Sequence, residues 1–499
     1  MDRRRFLGST AMAAVAAGSV KKRRTMYFND ARHFYLYSFE PPMNMEDAWR
    51  PVDELAGTAV NTLIYGVETG GLFAKTKVAD RAFASGRPFT SALAWRAWYN
   101  MQALIDRGLD PLQVLVDRAH DRGLDFFTSM RMSGGPKDPR FLIAPPGGGP
   151  GGGVTDFAHP EVRAARFSWL EELAAYPVEG IELDFAYVPY YFKPDQARAQ
   201  AHIMSDYVRD IGQMARGKGK NRVVGARVFP TVELNMALGL DVKTWLAKRY
   251  VDYVAPMFYG FHQLDPNLPF ESIVTAARGT GAEVYPVIQP FYLRQEEHAS
   301  PAMLRAAISN FWAKGADGLI VGPWFRWPHR DAERSFLTDI GDPVAVRDRD
   351  KHYMVAQREP EAAGLGYDQP LPLKLERADP AIEKEIPIYI ADDASAKRVR
   401  SVRLLIKVMN LVTADTLQVM LNGAALEHET VRRTSHRYEF QWLDYTLGRV
   451  RPKQGVNTVA VCLAKRPEGL EGGVTIEQVE VIIEYGLPRS VFERPPAEL

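Results

Sequence analysis

The chain has 499 residues, of which 46% are hydrophobic and 25% are charged, and its mean hydropathy is -0.23. Lys and Arg number 62 and Asp and Glu number 61, so the formal net charge is +1. This balance excludes the basic surface typical of nucleic-acid-binding proteins, and the length exceeds what one hydrophobic core normally serves, so at least two domains are expected.

Residues 1 to 25 are predicted to be an export signal. The segment Arg3 to Leu7 reads Arg-Arg-Arg-Phe-Leu, and a weakly apolar run follows from Ala11 to Gly18. This is the pattern of a bacterial twin-arginine signal, and the alternative is a disordered basic leader. We therefore expect the twin-arginine translocation machinery as a partner and a periplasmic or secreted location. No run of about 18 apolar residues is present, so no membrane span is expected in the mature chain.

Residues 30 to 341 are predicted to form a (β/α)8 TIM barrel, because short apolar runs alternate there with longer segments of helical periodicity. The predicted strands are His33 to Glu40, Asn61 to Val67, Asp125 to Met132, Gly180 to Tyr187, Arg222 to Phe229, Tyr253 to Gly260, Glu283 to Phe291 and Gly318 to Phe325. The predicted helices include Met45 to Leu55, Pro111 to Arg122, Pro160 to Ala175, Pro194 to Ala215, Pro301 to Ala313 and Asp331 to Ile340. An open doubly wound sheet is the alternative, but no glycine-rich phosphate-binding motif follows an early strand.

The fourth predicted strand carries two carboxylates, Glu182 and Asp184, on one face. Side chains two residues apart in a strand point the same way, so Ile181, Leu183 and Phe185 face the other side. Charges inside a protein are costly unless they are paired or solvated. The mouth of a barrel, where the strands end, is therefore the expected place for this pair, with Asp184 facing the opening and Glu182 lying one layer deeper.

After residue 341 the pattern changes to short alternating strands. Residues 342 to 369 are predicted to be a charged linker, 370 to 487 an all-β sandwich, and 488 to 499 a tail. The predicted sandwich strands are Leu371 to Leu375, Ile386 to Ile390, Val402 to Val408, Thr416 to Leu421, Tyr438 to Trp442, Asn457 to Leu463 and Gln478 to Glu484. This module either binds carbohydrate or supports the barrel, and support is favoured because no row of exposed aromatic residues is evident. The single cysteine, Cys462, lies in an apolar run and is expected to be a buried hydrophobic residue.

The ends of the other predicted strands are rich in polar and aromatic side chains. They are Tyr37, Glu40, Tyr65, Glu68, Arg131, Tyr187, Arg227, Tyr259, His262, Gln289, Tyr292, Trp324 and Arg326. Carboxylates transfer protons in sugar chemistry, aromatic rings stack on sugar faces, and arginines bind acidic groups. The set therefore predicts a carbohydrate site, with an acidic glycan as one candidate. Two interpretations compete with this: Arg131 and Arg227 neutralise the strand-four carboxylates in a structural network, and His262 is an ordinary loop residue. No residue spacing indicates a metal site, so neither a metal nor a cofactor is expected.

Four segments, residues 156 to 163, 179 to 185, 239 to 245 and 251 to 259, resemble the family-10-like glycosyl-hydrolase barrels of bacterial proteins. The resemblance covers roughly residues 30 to 340, and it implies a barrel whose strand four ends in a catalytic aspartate, here Asp184. A more distant resemblance is to family-18 chitinases, whose strand-four pattern ends in the glutamate that acts as the general acid. That position holds Ala186 here, so chitinase activity is not expected. A retaining pair of glutamates is not expected either, because strand seven ends in Gln289.

These patterns together predict an exported glycoside hydrolase that acts on a polysaccharide or oligosaccharide. Asp184 would be the principal carboxylate, Glu182 would support it, and Glu68 would supply the second catalytic carboxylate because a long loop follows it. Glu40 and Asp265 are the alternatives to Glu68. Two other functions stay open, namely a non-catalytic carbohydrate-binding barrel and a polysaccharide lyase that uses Tyr259 or His262 as a base, with an arginine neutralising a uronate.

Overall fold

A computed structural model describes residues 24–30, 35–134, 138–143, 154–188, 190–219, 221–258, 263–293, 297–322, 331–357, 369–376, 382–436 and 438–486. The segment Arg3 to Leu7 and four predicted site residues, Tyr259, His262, Trp324 and Arg326, lie outside these ranges. Within these ranges, the helices are too short or too polar to cross a membrane.

The first part of the chain contains thirteen strands in the described ranges. They are β1 (Thr25–Asp30), β2 (Thr62–Gly66), β3 (Asp125–Arg131), β4 (Leu142–Ile143), β5 (Val154–Thr155), β6 (Gly180–Asp184), β7 (Val223–Val228), β8 (Tyr253–Pro256), β9 (Glu283–Val284), β10 (Val287–Ile288), β11 (Phe291–Leu293), β12 (Glu297–His298) and β13 (Leu319–Val321). Nine of them form one sheet in the order β10-β13-β1-β2-β3-β6-β7-β8-β9, and their pairing is parallel.

The sheet closes on itself through an interrupted strand. Only Tyr285 and Pro286 separate β9 from β10, so these two strands are halves of one strand. The first half pairs with β8 and the second with β13. The result is a barrel of eight parallel strands, which confirms the predicted fold class.

Helices follow most of the barrel strands and cover the outside of the sheet. They are α1 (Tyr35–Ser38), α2 (Met45–Asp53), α3 (Ala92–Asp106), α4 (Pro111–Asp121), α5 (Pro160–Leu173), α6 (Ala201–Lys218), α7 (Val232–Ala237), α8 (Val242–Ala247), α9 (Glu271–Ala277), α10 (Pro301–Ala313), α11 (Asp331–Asp339) and α12 (Pro343–Val346). Several begin where the sequence predicts, with a proline in the first turn, as Pro111, Pro160 and Pro301 do.

The predicted first strand, His33 to Glu40, is wrong. Residues 35–38 form the short helix α1, and the first barrel strand is Thr25–Asp30, which is buried throughout. The aromatic and β-branched residues of this earlier segment suit a strand, and both of its edges are paired, with β2 and with β13. The prediction failed because residues 26–29 were assigned neither to the export signal nor to the barrel, and the first strand was sought after residue 30.

The barrel interior is packed by aromatic rings that face glycines on the neighbouring strand. A Cβ atom on Gly180 would lie 2.7 Å from the Phe127 ring, and one on Gly225 would lie 2.0 Å from Cζ of Tyr253. Only glycine therefore fits at these two positions. The space left by Gly225 allows Tyr253 to lie inside the barrel.

The second part of the chain is the predicted β-sandwich. Its strands are β14 (Lys351–Met354), β15 (Leu373–Leu375), β16 (Lys384–Ile390), β17 (Val399–Met409), β18 (Thr416–Leu421), β19 (Ala424–Ala425), β20 (Thr430–His436), β21 (Phe440–Thr446), β22 (Gly455–Lys465) and β23 (Val474–Tyr485). One sheet has the order β14-β23-β17-β21-β20, with β15 also paired to β23, and the other has the order β16-β22-β18-β19. Apolar side chains of the two sheets form a second core, and β14 lies within the segment predicted to be a linker.

Buried hydrogen bonds attach the sandwich to the barrel. The Asn310 side chain on α10 donates to the carbonyl oxygens of Pro266 (3.0 Å) and Tyr389 (2.9 Å) and accepts from the N–H of Ala391 (2.9 Å). Asn310 is fully buried. Its amide therefore joins a barrel helix to the region around β16.

Candidate active site at the carboxyl end of the barrel

Glu182 lies inside the barrel and is completely buried. Its Oε1 accepts hydrogen bonds from the Ser129 hydroxyl (2.8 Å) and from Nη2 of Arg227 (2.6 Å), and its Oε2 accepts from the Tyr253 hydroxyl (3.0 Å). Burial raises the pKa of Glu182 above its ordinary value, since the opposing effect of Arg227 is smaller and Asp184 adds a further increase. Glu182 is therefore a fixed, fully hydrogen-bonded group beneath the mouth of the barrel.

Arg227 connects Glu182 to Asp184. Its Nη1 lies 4.0 Å from Oδ2 of Asp184, and its guanidinium lies 3.9 Å from the centre of the Phe28 ring. Burial acts to lower the pKa of Arg227, but Glu182 and Asp184 outweigh that effect, so the pKa is raised and the side chain stays cationic.

Asp184 is the last residue of β6, is 2% exposed, and has fewer partners than Glu182. Within the described residues it accepts one hydrogen bond, from the N–H of Ala186 to Oδ1 (2.9 Å). Among the same described residues, its Oδ2 has only the long contact with Arg227. Asp184 is thus the carboxylate at the mouth that has most capacity left for another partner.

A second ion pair spans the mouth on the other side of Asp184. Arg131 is aligned with Asp184 in the pairing of β3 with β6. Its Nη2 crosses β2 and lies 2.5 Å from Oδ2 of Asp30, the last residue of β1. The β2 residue aligned with Asp30 is Gly66, which has no side chain to obstruct this crossing. The Arg131 guanidinium also lies 4.0 Å from the centre of the Tyr187 ring.

The mouth therefore combines three carboxylates with two guanidinium groups. Glu182, Asp184, Arg131, Arg227 and Tyr187 were predicted from the sequence, and the structure brings them together. Asp30 was missed because strand one was misplaced, and Ser129 and Tyr253 were missed because they lie deeper than the strand ends. The signal that would have found Asp30 is the run Thr25-Met26-Tyr27-Phe28, which favours a strand.

Glu68 has a different environment. Its Oε2 accepts from the N–H of Gly70 (3.3 Å), and its Oε1 lies 3.9 Å from Nη2 of the buried Arg166. Arg166 in turn donates to the carbonyl oxygen of Arg131. These contacts fix the start of the long segment that follows β2.

Four other predicted residues have the contacts described below, which do not involve Glu182 or Asp184. Tyr65 points outward, because Ile64 faces the barrel interior and side chains alternate along a strand. Tyr37 is on α1, where its ring packs against Phe83 (6.0 Å). Tyr292 donates to Glu480 of the sandwich.

Glu40 is the fourth of these residues, and it lies at the surface, where its Oε1 is 2.5 Å from Nε of Arg96. Gln289 follows β10, and its amide donates to the carbonyl oxygen of Phe258 (3.1 Å). Asp265, an alternative second carboxylate, accepts from the Gln369 amide (2.9 Å) at the junction with the sandwich. In the described part of the chain, no cluster of three or more His, Cys, Asp or Glu side chains is arranged to hold a metal ion.

No protein-family model matches the chain, and no curated protein matches it. One similar solved structure is a cycloisomaltooligosaccharide glucanotransferase from Paenibacillus sp. (10% identity, 92% of this chain, 57% of that chain, TM-score 0.33). Another is α-L-fucosidase isoenzyme 2 from Paenibacillus thiaminolyticus (12%, 65% of this chain, 49% of that chain, TM-score 0.43). A third is a β-L-arabinopyranosidase from Geobacillus stearothermophilus (10%, 90% of this chain, 98% of that chain, TM-score 0.39). The chain spans only about half the length of the first two, and similarity at this level concerns the general fold alone.

Proposed function

We propose that this protein is an exported glycoside hydrolase that acts on an oligosaccharide or polysaccharide, with Asp184 as its principal carboxylate. The observation that carries the proposal is the position of Asp184 at the mouth of the barrel, with one hydrogen bond from the described residues and an arginine on each neighbouring strand. Reacting groups of TIM-barrel enzymes stand at this end of the strands. The carboxylate beneath it, Glu182, already has three hydrogen-bond partners.

Hydrolysis of a glycosidic bond needs two carboxyl groups, one to protonate the leaving oxygen and one to attack the sugar or to activate water. We assign these roles to Asp184 and Asp30. Asp30 is favoured over Glu68 because Arg131 joins it directly to the strand position next to Asp184. Asp184 and Asp30 are 2% and 1% exposed, so contact with a sugar requires a local rearrangement that exposes them.

A neutral glycan is the better-supported substrate class. The prediction of an acidic glycan depended on Arg131, Arg227 and Arg326, and the first two are paired with Asp30 and Glu182 inside the mouth. A guanidinium that already binds a carboxylate has less capacity to bind a uronate.

The catalytic proposal is tested by comparing the purified protein with the Asp184→Asn variant on a panel of polysaccharides. Reducing ends and ultraviolet absorbance are measured together. We expect Asp184→Asn to lower kcat by about 10²–10⁴-fold, the usual contribution of a positioned acid or base. The exposed Asp210→Asn variant on α6 is the matched control and is expected to keep full activity.

Full activity of Asp184→Asn would refute the assignment. Glycan binding without release of reducing ends would identify a non-catalytic carbohydrate-binding barrel instead. Products that absorb in the ultraviolet would identify a polysaccharide lyase, whose proposed bases are Tyr259 and His262.

We also propose export through the twin-arginine route, on the basis of the segment Arg3 to Leu7. Signal cleavage would have to leave Thr25 in place, because β1 pairs with two other barrel strands. Replacing Arg4 and Arg5 by lysine is expected to retain the protein in the cytoplasm, as measured by cell fractionation. Undiminished export of that variant would contradict the route, and the mass of the exported protein shows the cleavage position.

A further inference from the structure

Two aromatic side chains on α3 are exposed next to each other. Trp95 is 40% exposed and Tyr99 is 43% exposed, and their ring centroids are 5.1 Å apart. They are four residues apart and therefore share one face of the helix. Water contact with this much aromatic surface is unfavourable, and exposed apolar patches often mark binding sites.

The Tyr99 ring is supported from below, and Trp95 packs against it. Phe89 packs edge-on against Tyr99 (6.4 Å) and also contacts Trp98 (6.2 Å), which is buried. The guanidinium groups of Arg81 and Arg87 lie 4.3 and 4.7 Å from the Trp98 ring centre. Rings held in this way lose little conformational freedom when a ligand covers them. We call Phe89, Trp95 and Tyr99 the aromatic platform.

The aromatic platform lies on the same face of the barrel as the candidate active site. Helix α3 belongs to the segment that follows β2. Its Asn100 accepts from the N–H of Met43 (3.0 Å) and donates to the carbonyl oxygens of Leu36 (3.1 Å) and Phe39 (2.8 Å), which follow β1. The platform is thereby fixed beside the ends of β1 and β2, on the side of the mouth where Asp30 lies.

Charged groups border the aromatic platform. Arg96, the residue after Trp95, pairs with Glu40, whose side chain is 68% exposed. A sugar residue has apolar C–H faces that pack on aromatic rings and hydroxyl groups that hydrogen-bond to carboxylates and guanidinium groups. Exposed rings next to an exposed carboxylate and a half-buried guanidinium therefore match a glycan better than they match an aliphatic partner surface.

We propose that the aromatic platform binds sugar residues of a glycan chain whose reacting end enters the mouth of the barrel. This inference rests on the proposed glycoside hydrolase function, and it makes the substrate class a chain of several sugar residues. The platform would then lower KM for long substrates and have no effect on short ones.

The test uses the Asp184→Asn protein, so that binding is measured without hydrolysis. Its migration is compared in native gels that contain hydroxyethylcellulose, xylan, dextran or polygalacturonate. In at least one gel we expect retardation, from which a Kd is derived. Adding Trp95→Ala and Tyr99→Ala should raise that Kd about tenfold. Alanine favours helix, so the α3 backbone should be retained. Tyr438→Ala, which removes a fully exposed tyrosine from the sandwich, is the control and should leave binding unchanged.

Retardation that is unchanged by the Trp95 and Tyr99 substitutions, or absent for all four polymers, would overturn the platform proposal. In the active protein, the same two substitutions should raise KM for the polymer and leave kcat/KM for a short aryl glycoside unchanged. Hydrolysis of the aryl glycoside without any polymer binding would refute the platform while supporting the hydrolase. Polymer binding that depends on Trp95 and Tyr99, without hydrolysis, would support the platform and refute the hydrolase function.

Discussion

Arg227 lies between Glu182 and Asp184, 2.6 Å from the first carboxylate and 4.0 Å from the second, and all three side chains are at most 2% exposed. Replacing Arg227 with methionine would leave two buried carboxylates without their cation. We expect Arg227→Met to lower the free energy of unfolding by about 3–5 kcal/mol, the usual cost of removing one partner of a buried pair. Urea denaturation followed by circular dichroism measures this loss.

The double variant Arg227→Met with Glu182→Leu should recover part of that stability, because it removes the most deeply buried of the uncompensated charges. Arg209→Met, which removes an exposed ion pair on α6, is the control and should change stability by less than about 1 kcal/mol. A similarly small effect of Arg227→Met would show that the buried ion pair does not support the barrel.

Gly225→Ala should displace Tyr253 from Glu182. The added Cβ would lie 2.0 Å from Cζ of Tyr253, so the ring has to move and its hydrogen bond to Glu182 has to break. We expect a loss of about 1–3 kcal/mol in stability, the usual cost of overpacking a core. Gly217→Ala on α6 is the matched control, because nothing lies within 4 Å of its added Cβ and alanine favours a helix. In thermal unfolding, Gly225→Ala should lower the Tm and Gly217→Ala should raise it. Equal Tm values for the two variants would contradict the packing argument.

Asn310→Leu should loosen the attachment of the sandwich to the barrel. It leaves the N–H of Ala391 and the carbonyl oxygens of Pro266 and Tyr389 without their partner. Each unsatisfied buried group costs about 1–3 kcal/mol. We expect calorimetry to resolve two transitions where the native chain gives one, and Ser309→Ala on the same helix should retain the native profile. A single transition at the native temperature for Asn310→Leu would show that other contacts hold the two domains together.

Glu429 should make the sandwich sensitive to acid. Its burial acts to raise its pKa, but three backbone N–H groups, those of Gly448, Arg449 and Val450, outweigh burial, and the pKa is lowered. A carboxyl whose folded pKa is lowered stabilises the fold above its unfolded pKa of about 4.3, and this contribution is lost as the pH falls through the folded pKa.

The Glu429→Gln variant should therefore be less stable than the native chain at pH 7, and the difference should shrink as the pH falls below about 4.3. Urea denaturation over a range of pH measures this difference. Glu427→Gln, at a position where the side chain is 72% exposed, is the control. A difference that does not change with pH would contradict the role of the backbone N–H groups.

The sequence predicts the barrel and the centre of its site where the local pattern is strong. The two-residue spacing of Glu182 and Asp184 fixes their common face, and the register of parallel strands brings Arg131 and Arg227 beside Asp184. The same rule of alternation, applied to Tyr65, would have placed that ring outside the barrel. Asp30 was not predicted because the first barrel strand was placed after it, at residues 33 to 40. The role of Tyr253 depends on a packing gap at Gly225 that no local pattern reveals.

The interruption between β9 and β10 also has a consequence for how the barrel opens. Each half pairs with its outer neighbour over only two residues, and Pro286, which lies between the halves, has no N–H to donate. This seam should be the first part of the sheet to separate in local unfolding. In native-state hydrogen exchange, the amides of Tyr285 and Ile320, which bond across it, should exchange before those of β2 and β3. If the amides of Tyr285 and Ile320 are as well protected as those of β2 and β3, the barrel unfolds as one cooperative unit despite the interrupted strand.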